Sequence, residues 1–178
     1  QPNAAHRLIA ALEQEKALVC VLTQNVDGLH RAAGSRNVIE IHGTVHRLHC
    51  MSCGQGRRVE DYAGLSIPPE CPRCGGILRP DVVLFGEALP ELAIERLESV
   101  LSQGMDAVVS IGTTSVFPYI AGPVLWAARE GTPTVEINPG DTQVSQFVDH
   151  RLRMCAAEAL PELWWRMHPA DPAEDRGW

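Results

Sequence analysis

No run of about 18 apolar residues, the length a membrane-crossing helix requires, occurs in this 178-residue chain, so no membrane span is expected. The N-terminal stretch QPNAAHRLIAALEQEKALV scatters charges through an amphipathic pattern, where a secretory leader would hold an unbroken apolar stretch. No Gly-x-Gly-x-x-Gly loop is present, so the common Gly-rich phosphate cradle is missing. Positive charge is in short supply. With 15 Lys and Arg against 22 Asp and Glu, the net charge is −7, which argues against general nucleic-acid affinity and suits a cationic partner. No internal repeat or low-complexity block interrupts the chain, and it does not open on Met, which reads as a fragment, a processed product or a trimmed chain.

What is present is enough to build a core. At 45% apolar residues the chain reads as one domain carrying an insert. Strand and helix signals alternate. Asn3 to Glu15 has helical spacing of Leu8, Ile9 and Leu12. Ala17 to Leu22 and Val38 to Ile41 are short β-branched runs joined by a helical turn near Leu29 to Ala33 that Gly34 stops. After an irregular stretch from Thr44 to Arg79, the pattern predicts a strand at Val82 to Phe85 and a helix at Leu92 to Leu101. It then predicts a strand at Ala107 to Ile111, a helix at Tyr119 to Arg129, a strand at Thr134 to Ile137 and a helix at Ala156 to Met167. Such alternation implies an α/β, Rossmann-like, mostly parallel sheet. The divisions read as 1–43, an inserted module at 44–79, a second α/β part at 80–168 and a polar, frayed tail at 169–178.

The insert holds Cys50, Cys53, Cys71 and Cys74 as two CxxC pairs seventeen residues apart, each followed by a glycine, Gly54 or Gly75. That spacing predicts a zinc ribbon with four thiolate ligands and therefore a structural Zn2+ with no open coordination position. Paired disulfides are disfavoured by the lack of a leader. A nucleic-acid ribbon is disfavoured because the module's arginines lack a run of interleaved aromatics. Cys20 and Cys155 read as buried thiols.

Polar groups gather at the carboxyl ends of the first two strands, where ligands sit in open α/β sheets. Gln24, Asn25 and Asp27 lie in TQNVDGLHRAAG and His42 in VIEIHG. Taken singly, His42 could be a hydrogen-bonded structural residue, Gln24 and Asn25 loop caps, and Asp27 before Gly28 an ordinary turn. In order and spacing, however, TQNVDGLH, IHG, the CxxC pairs, RPDVVLFGEALP, IGTTSVFP, VEINPGDT and AAEALPELW resemble the sirtuin family of NAD-dependent protein deacylases across nearly the whole chain.

The resemblance implies NAD as cosubstrate and an acyl-lysine protein or peptide as partner, with nicotinamide and O-acyl-ADP-ribose as products. It implies that His42 is the base acting on a ribose hydroxyl, with Asn25 orienting ribose and water, Gln24 on the ribose, and Val26 with Asp27 on the nicotinamide carboxamide. Gly112, Thr113 and Thr114 would meet phosphate or ribose oxygens, Glu136 and Asn138 the adenosine ribose, and Ala156 the adenine. Val83, Phe85, Gly86 and Glu87 would form the substrate strand, Val83 accepting from the acyl-lysine Nε–H and Phe85 lining an apolar tunnel. Plain core packing is the other reading of Val83 and Phe85.

Thr114 stands where the family pattern has Ser, and Pro118 comes one residue early, so the loop after Thr114 is expected to differ. The family's opening strand and Gly-Ala-Gly loop have no counterpart in this sequence. The 178 residues alone are thus expected to bind NAD poorly, and two strands to carry unpaired edges open to self-association. A cytoplasmic location is expected. A non-catalytic zinc-ribbon module on a degenerate Rossmann scaffold, and mono-ADP-ribosyl transfer, stand as alternatives.

Overall fold

The computed structural model describes residues 1–169, and the expected tail from residue 170 onward lies outside the described residues. The chain opens with helix α1 (Ala4–Glu15), started by a capping box in which the Asn3 side chain accepts from the His6 N–H at 3.1 Å. Strands β1 (Val21–Thr23) and β2 (Val38–Glu40) follow, linked by the short helix α2 (Leu29–Ala32) and paired parallel in register Val21 to Val38. The first strand begins later than its apolar run suggests. Its ladder partner starts at Val38, so among the described residues, 17–20 have no neighbouring strand to pair with.

The insert is more regular than its composition suggests. It is a three-stranded antiparallel sheet in the order β4, β3, β5, formed by β3 (Gly43–Cys50), β4 (Gly56–Arg58) and β5 (Leu78–Val82). Leu48, Cys50, Val59, Cys71 and Leu78 are buried together beneath it. The strand expected at Val82 to Phe85 is displaced to Leu78–Val82, and residues 83–85 leave the ladder. Pro80 lies within this strand. It is tolerated because β5 lies at an edge, where a missing N–H breaks no ladder on the outer side.

The remainder holds α3 (Glu91–Ser102), β6 (Val108–Ile111), α4 (Pro118–Glu130), β7 (Thr134–Ile137), β8 (His150–Leu152) and α5 (Ala156–Met167). Strands β6, β7 and β8 pair in parallel. Strand β8 has no signal in the sequence, because His-Arg-Leu offers neither an apolar run nor alternation. Ile39 and Ile41 from β2 and its C-terminal end pack with Leu97 of α3 and Ile120 of α4, joining the N-terminal part to the second α/β part. The parallel strands fall into two sheets rather than one, and among the described residues β1 pairs only with β2 and β6 only with β7.

Candidate functional site

The four cysteine Sγ atoms lie within 4.8 Å of one another, with Cys50 to Cys74 at 3.5 Å and Cys53 to Cys71 at 3.7 Å. A tetrahedral zinc with bonds of about 2.3 Å needs sulfurs about 3.8 Å apart, so the group fits the ion. Gly54 and Gly75 take φ of +70° and +73° and turn their N–H groups back to the carbonyls of Cys50 and Cys71. N–H groups of Cys53 and Ser52 lower the Cys50 thiol to about 6. At Cys74 the Gly76 N–H acts in the same direction, but the neighbouring thiols outweigh it and push the group up to about 12. Four clustered thiols thus resist holding four negative charges unless a cation shares the site.

His42 stands at the crossing of three segments. It follows β2, precedes β3, and its carbonyl accepts from the Val83 N–H at 2.9 Å. Its ring Nε2 lies 2.7 Å from the Tyr119 hydroxyl. Phe117 meets the imidazole edge-on at 6.0 Å and stacks on Tyr119 at 5.3 Å. Burial raises the Tyr119 hydroxyl above its ordinary value, so it stays protonated at neutral pH. The residue after His42 must be glycine. Gly43 has φ of +76°, and a Cβ there would stand 2.0 Å from the Asp81 carbonyl oxygen.

The loop after β1 is fastened from several sides. Gln24 Nε2 donates to Thr113 Oγ1 at 3.0 Å, joining the end of β1 to the end of β6. The Val26 carbonyl accepts from Val45 N–H, the Asp27 carbonyl meets His46 Nε2, and the Asp27 carboxylate accepts from Leu29 N–H. Asn25 is exposed and keeps its side chain available. Past β6, Gly112 has φ of +62° and Ser115, a non-glycine, takes φ of +54°. The Ser115 hydroxyl is buried with no protein partner among the described residues, and α4 begins at Pro118 without a side-chain cap. Exposed Thr114 and this uncapped helix start offer donors to an anion, while the Gly112 N–H is already spent on the Ile137 carbonyl at 2.9 Å. The departure in the sequence after Thr114 thus corresponds to a left-handed serine and an early helix.

Other expected contacts are committed elsewhere. The Glu136 carboxylate is buried and bonded by Thr142, Ser145 and Arg151. Burial alone would raise it, but those bonds hold it below the ordinary carboxylate value. Asn138 donates to the Thr113 carbonyl and accepts from the Gly140 N–H, so its side chain clamps β7 to the Thr113 loop. Ala156 opens α5, which has no side-chain cap. Phe85 is fully exposed and Leu84 about half exposed, so the plain core reading of Phe85 does not hold. The Glu87 carboxylate is held by Arg79 through two bonds, at 2.7 and 3.1 Å, and by the Leu84 N–H at 2.9 Å. No sequence pattern marks Tyr119, Phe117, Ser115 or Arg79 as site residues. For Tyr119, the one available signal was its place just after Pro118, at the first turn of a helix aimed towards the strand ends.

A model of the Sir2 family matches residues 1–118 of the chain. The chain belongs to the Sir2 family. It is 47% identical over 166 residues to an NAD-dependent protein deacylase 2 of Pseudomonas aeruginosa, covering 92% of this chain and 65% of that protein. It is also 46% identical to an NAD-dependent protein deacylase of Aeropyrum pernix, over 92% of this chain and 66% of the relative. The Sir2 chain therefore spans about two thirds of the length of these relatives. Among solved structures it is similar to a Sir2 homolog–NAD complex, with a TM-score of 0.88, 39% identity, and coverage of 96% of this chain and 66% of that one. A Sir2–p53 peptide–NAD+ complex aligns with a TM-score of 0.84 at 33% identity, over 94% of this chain and 70% of that one. The α/β fold is that of these Sir2 structures.

Proposed function

We propose that this Sir2 protein removes acyl groups, acetyl or related, from protein lysines at the expense of NAD, yielding nicotinamide and O-acyl-ADP-ribose. The observation that carries the reading is the contact between His42 and Val83. One residue bears the imidazole and, through its backbone, fixes the segment on which the acyl-lysine would lie. The named activities and complexes of the Sir2 relatives support it.

NAD, when bound, supplies the ribose carbon to which the acyl oxygen attaches as nicotinamide leaves. An Nε2–H donated to the Tyr119 oxygen leaves the His42 Nδ1 lone pair free to take a proton from a ribose hydroxyl. Asn25, unencumbered at the loop, orients the ribose and a water. Gln24, Val26 and Asp27 form the wall against which the ribose and carboxamide rest. Gly112, Thr113 and Thr114 with the start of α4 receive phosphate or ribose oxygens, and the unpartnered Ser115 hydroxyl lies behind them. Asn138 contributes by shaping the Thr113 loop and Glu136 by holding the end of β7, while the first turn of α5 at Ala156 meets the adenine through its backbone. Val83 offers its carbonyl to the acyl-lysine Nε–H, and Phe85 and Gly86 border the peptide. Zinc, held by the four cysteines, supplies rigidity to the insert and takes no part in the chemistry. None of the six cysteines is paired in a disulfide, which fits the reducing cytoplasm, and no described helix is long and apolar enough to cross a membrane.

The test is an assay of acetylated and succinylated peptides with NAD, using protein expressed from its complete reading frame. Nicotinamide and O-acyl-ADP-ribose should form together, and His42→Ala should lower the rate by about 10²-fold or more. Intact peptides after prolonged incubation, or a His42→Ala protein as fast as the parent, would overturn the reading.

A further inference from the structure

The segment that leaves β5 is an unusual object to find ordered. Leu84 and Phe85 sit at its tip with their side chains half and fully exposed, so no core packing fixes their positions. What fixes them is polar and lies at the base of the turn. The Arg79 guanidinium bonds the Val82 carbonyl at 3.0 Å and spans both oxygens of Glu87. The second Glu87 oxygen also accepts from the Leu84 N–H, while the Glu87 N–H donates to the Leu84 carbonyl at 3.0 Å across a turn closed by Gly86 at φ of +87°. The Val83 N–H is spent on the His42 carbonyl. Residues 82 to 84 are thus each held through their backbone, and the bonds at the Val82 carbonyl and at Leu84 run to the Arg79–Glu87 pair.

We propose that Arg79 and Glu87 are positioning residues that pre-form the Val83–Phe85 segment as a template for the extended acyl-lysine peptide, with Glu87 acting on the peptide through this latch. The inference deepens the deacylase reading and rests on it. An exposed apolar segment left without such a latch would sample many conformations, and a peptide adding to it would have to order both chains. The bidentate geometry suits arginine and a carboxylate and no other pair of side chains equally well. Glu87 is held down to about 2, first by Arg79 and then by the Leu84 N–H, so the latch stays closed across the neutral range.

The full-length protein tests this with Glu87→Gln, Arg79→Lys and the exchanged pair Arg79→Glu with Glu87→Arg. Glu87→Gln keeps size and the Leu84 contact but loses the ion pair. It should raise KM for an acetyl-lysine peptide about tenfold while leaving KM for NAD unchanged. The exchanged pair should recover part of that loss. Peptide KM in the parent should show no inflection from this group between pH 5 and 9. Unchanged peptide KM in both single variants would overturn the latch, as would an equal rise in both KM values. Amide exchange separates this outcome from failure of the deacylase reading itself. The Leu84 and Glu87 N–H groups should lose protection in Arg79→Lys whether or not the parent turns over peptide, and retained protection would sink the proposal even in an inactive protein. Unaltered zinc content and melting temperature serve as the folding control.

Discussion

At the scale of single residues, the site is built from side chains whose second polar atom is already spoken for. His42 has its Nε2 on Tyr119, and Tyr119 has its ring packed against the Ile39, Ile41, Leu97 and Ile120 cluster. Tyr119→Phe keeps that packing and removes one hydroxyl, so stability should change by about 1 kcal/mol or less. Turnover should nonetheless fall several-fold at constant KM for NAD, read from steady-state rates at saturating peptide, because the imidazole is freed to rotate and to take the other tautomer. An unchanged kcat would show that the ring is held by other means. The cysteine cluster was legible in the sequence because four cysteines at such spacing are chemically rare. Tyr119 was not, because an aromatic residue in the first turn of an amphipathic helix looks like any core residue until its hydroxyl is seen facing the imidazole. Glu136, expected at the adenosine ribose, has its carboxylate filled by internal donors, which no local pattern in the sequence shows.

At the scale of elements, the helices were plain from periodicity, and β2, β6 and β7 lie within about a residue of their apolar runs. The insert was not legible as a sheet. Its strands β3, β4 and β5 are rich in Arg, His, Gly and Pro, and they owe their order to the cysteine cluster and to a small buried group around Leu48 and Leu78. Metal removal should accordingly act on this element first. With a strong chelator, or with Cys71→Ser, amide protection should vanish across Gly43 to Val82 while α1, α3, α4 and β7 keep theirs, as followed by hydrogen exchange. Because β5 carries the segment at Val83 to Glu87, peptide affinity should disappear in the same titration. Loss of protection spread evenly over the chain would show instead that the insert and the α/β parts melt as one unit.

At the scale of the whole molecule, two parallel sheets approach each other through the α3 and α4 packing, and each leaves an edge strand, β1 or β6, with one neighbour among the described residues. Such edges invite pairing with another chain, so the 178-residue chain is expected to sediment as a concentration-dependent mixture above the monomer mass. It is also expected to bind NAD weakly, in the high micromolar range or beyond by calorimetry. The groups proposed to receive phosphate are the Gly112–Ser115 loop and the start of α4, and the sequence holds no Gly-x-Gly-x-x-Gly loop. Tight binding by these residues alone, or a clean monomer at all concentrations, would remove that expectation. The overall class was readable from the order of motifs. The division into two sheets was not, because pairing between strands far apart in sequence leaves no local pattern.

The side-chain amide of Gln24, donating to Thr113 Oγ1, is the direct polar stitch between the ends of those two sheets. A stitch of this kind is also a gauge. Its paired amide protons resonate apart from those of any exposed glutamine, and their separation and solvent exchange respond to any change in the gap between β1 and β6. One NMR signal in this protein therefore reports, without a bound dye or an engineered label, whether a ligand or a neighbouring strand has pulled the two halves together or pushed them apart.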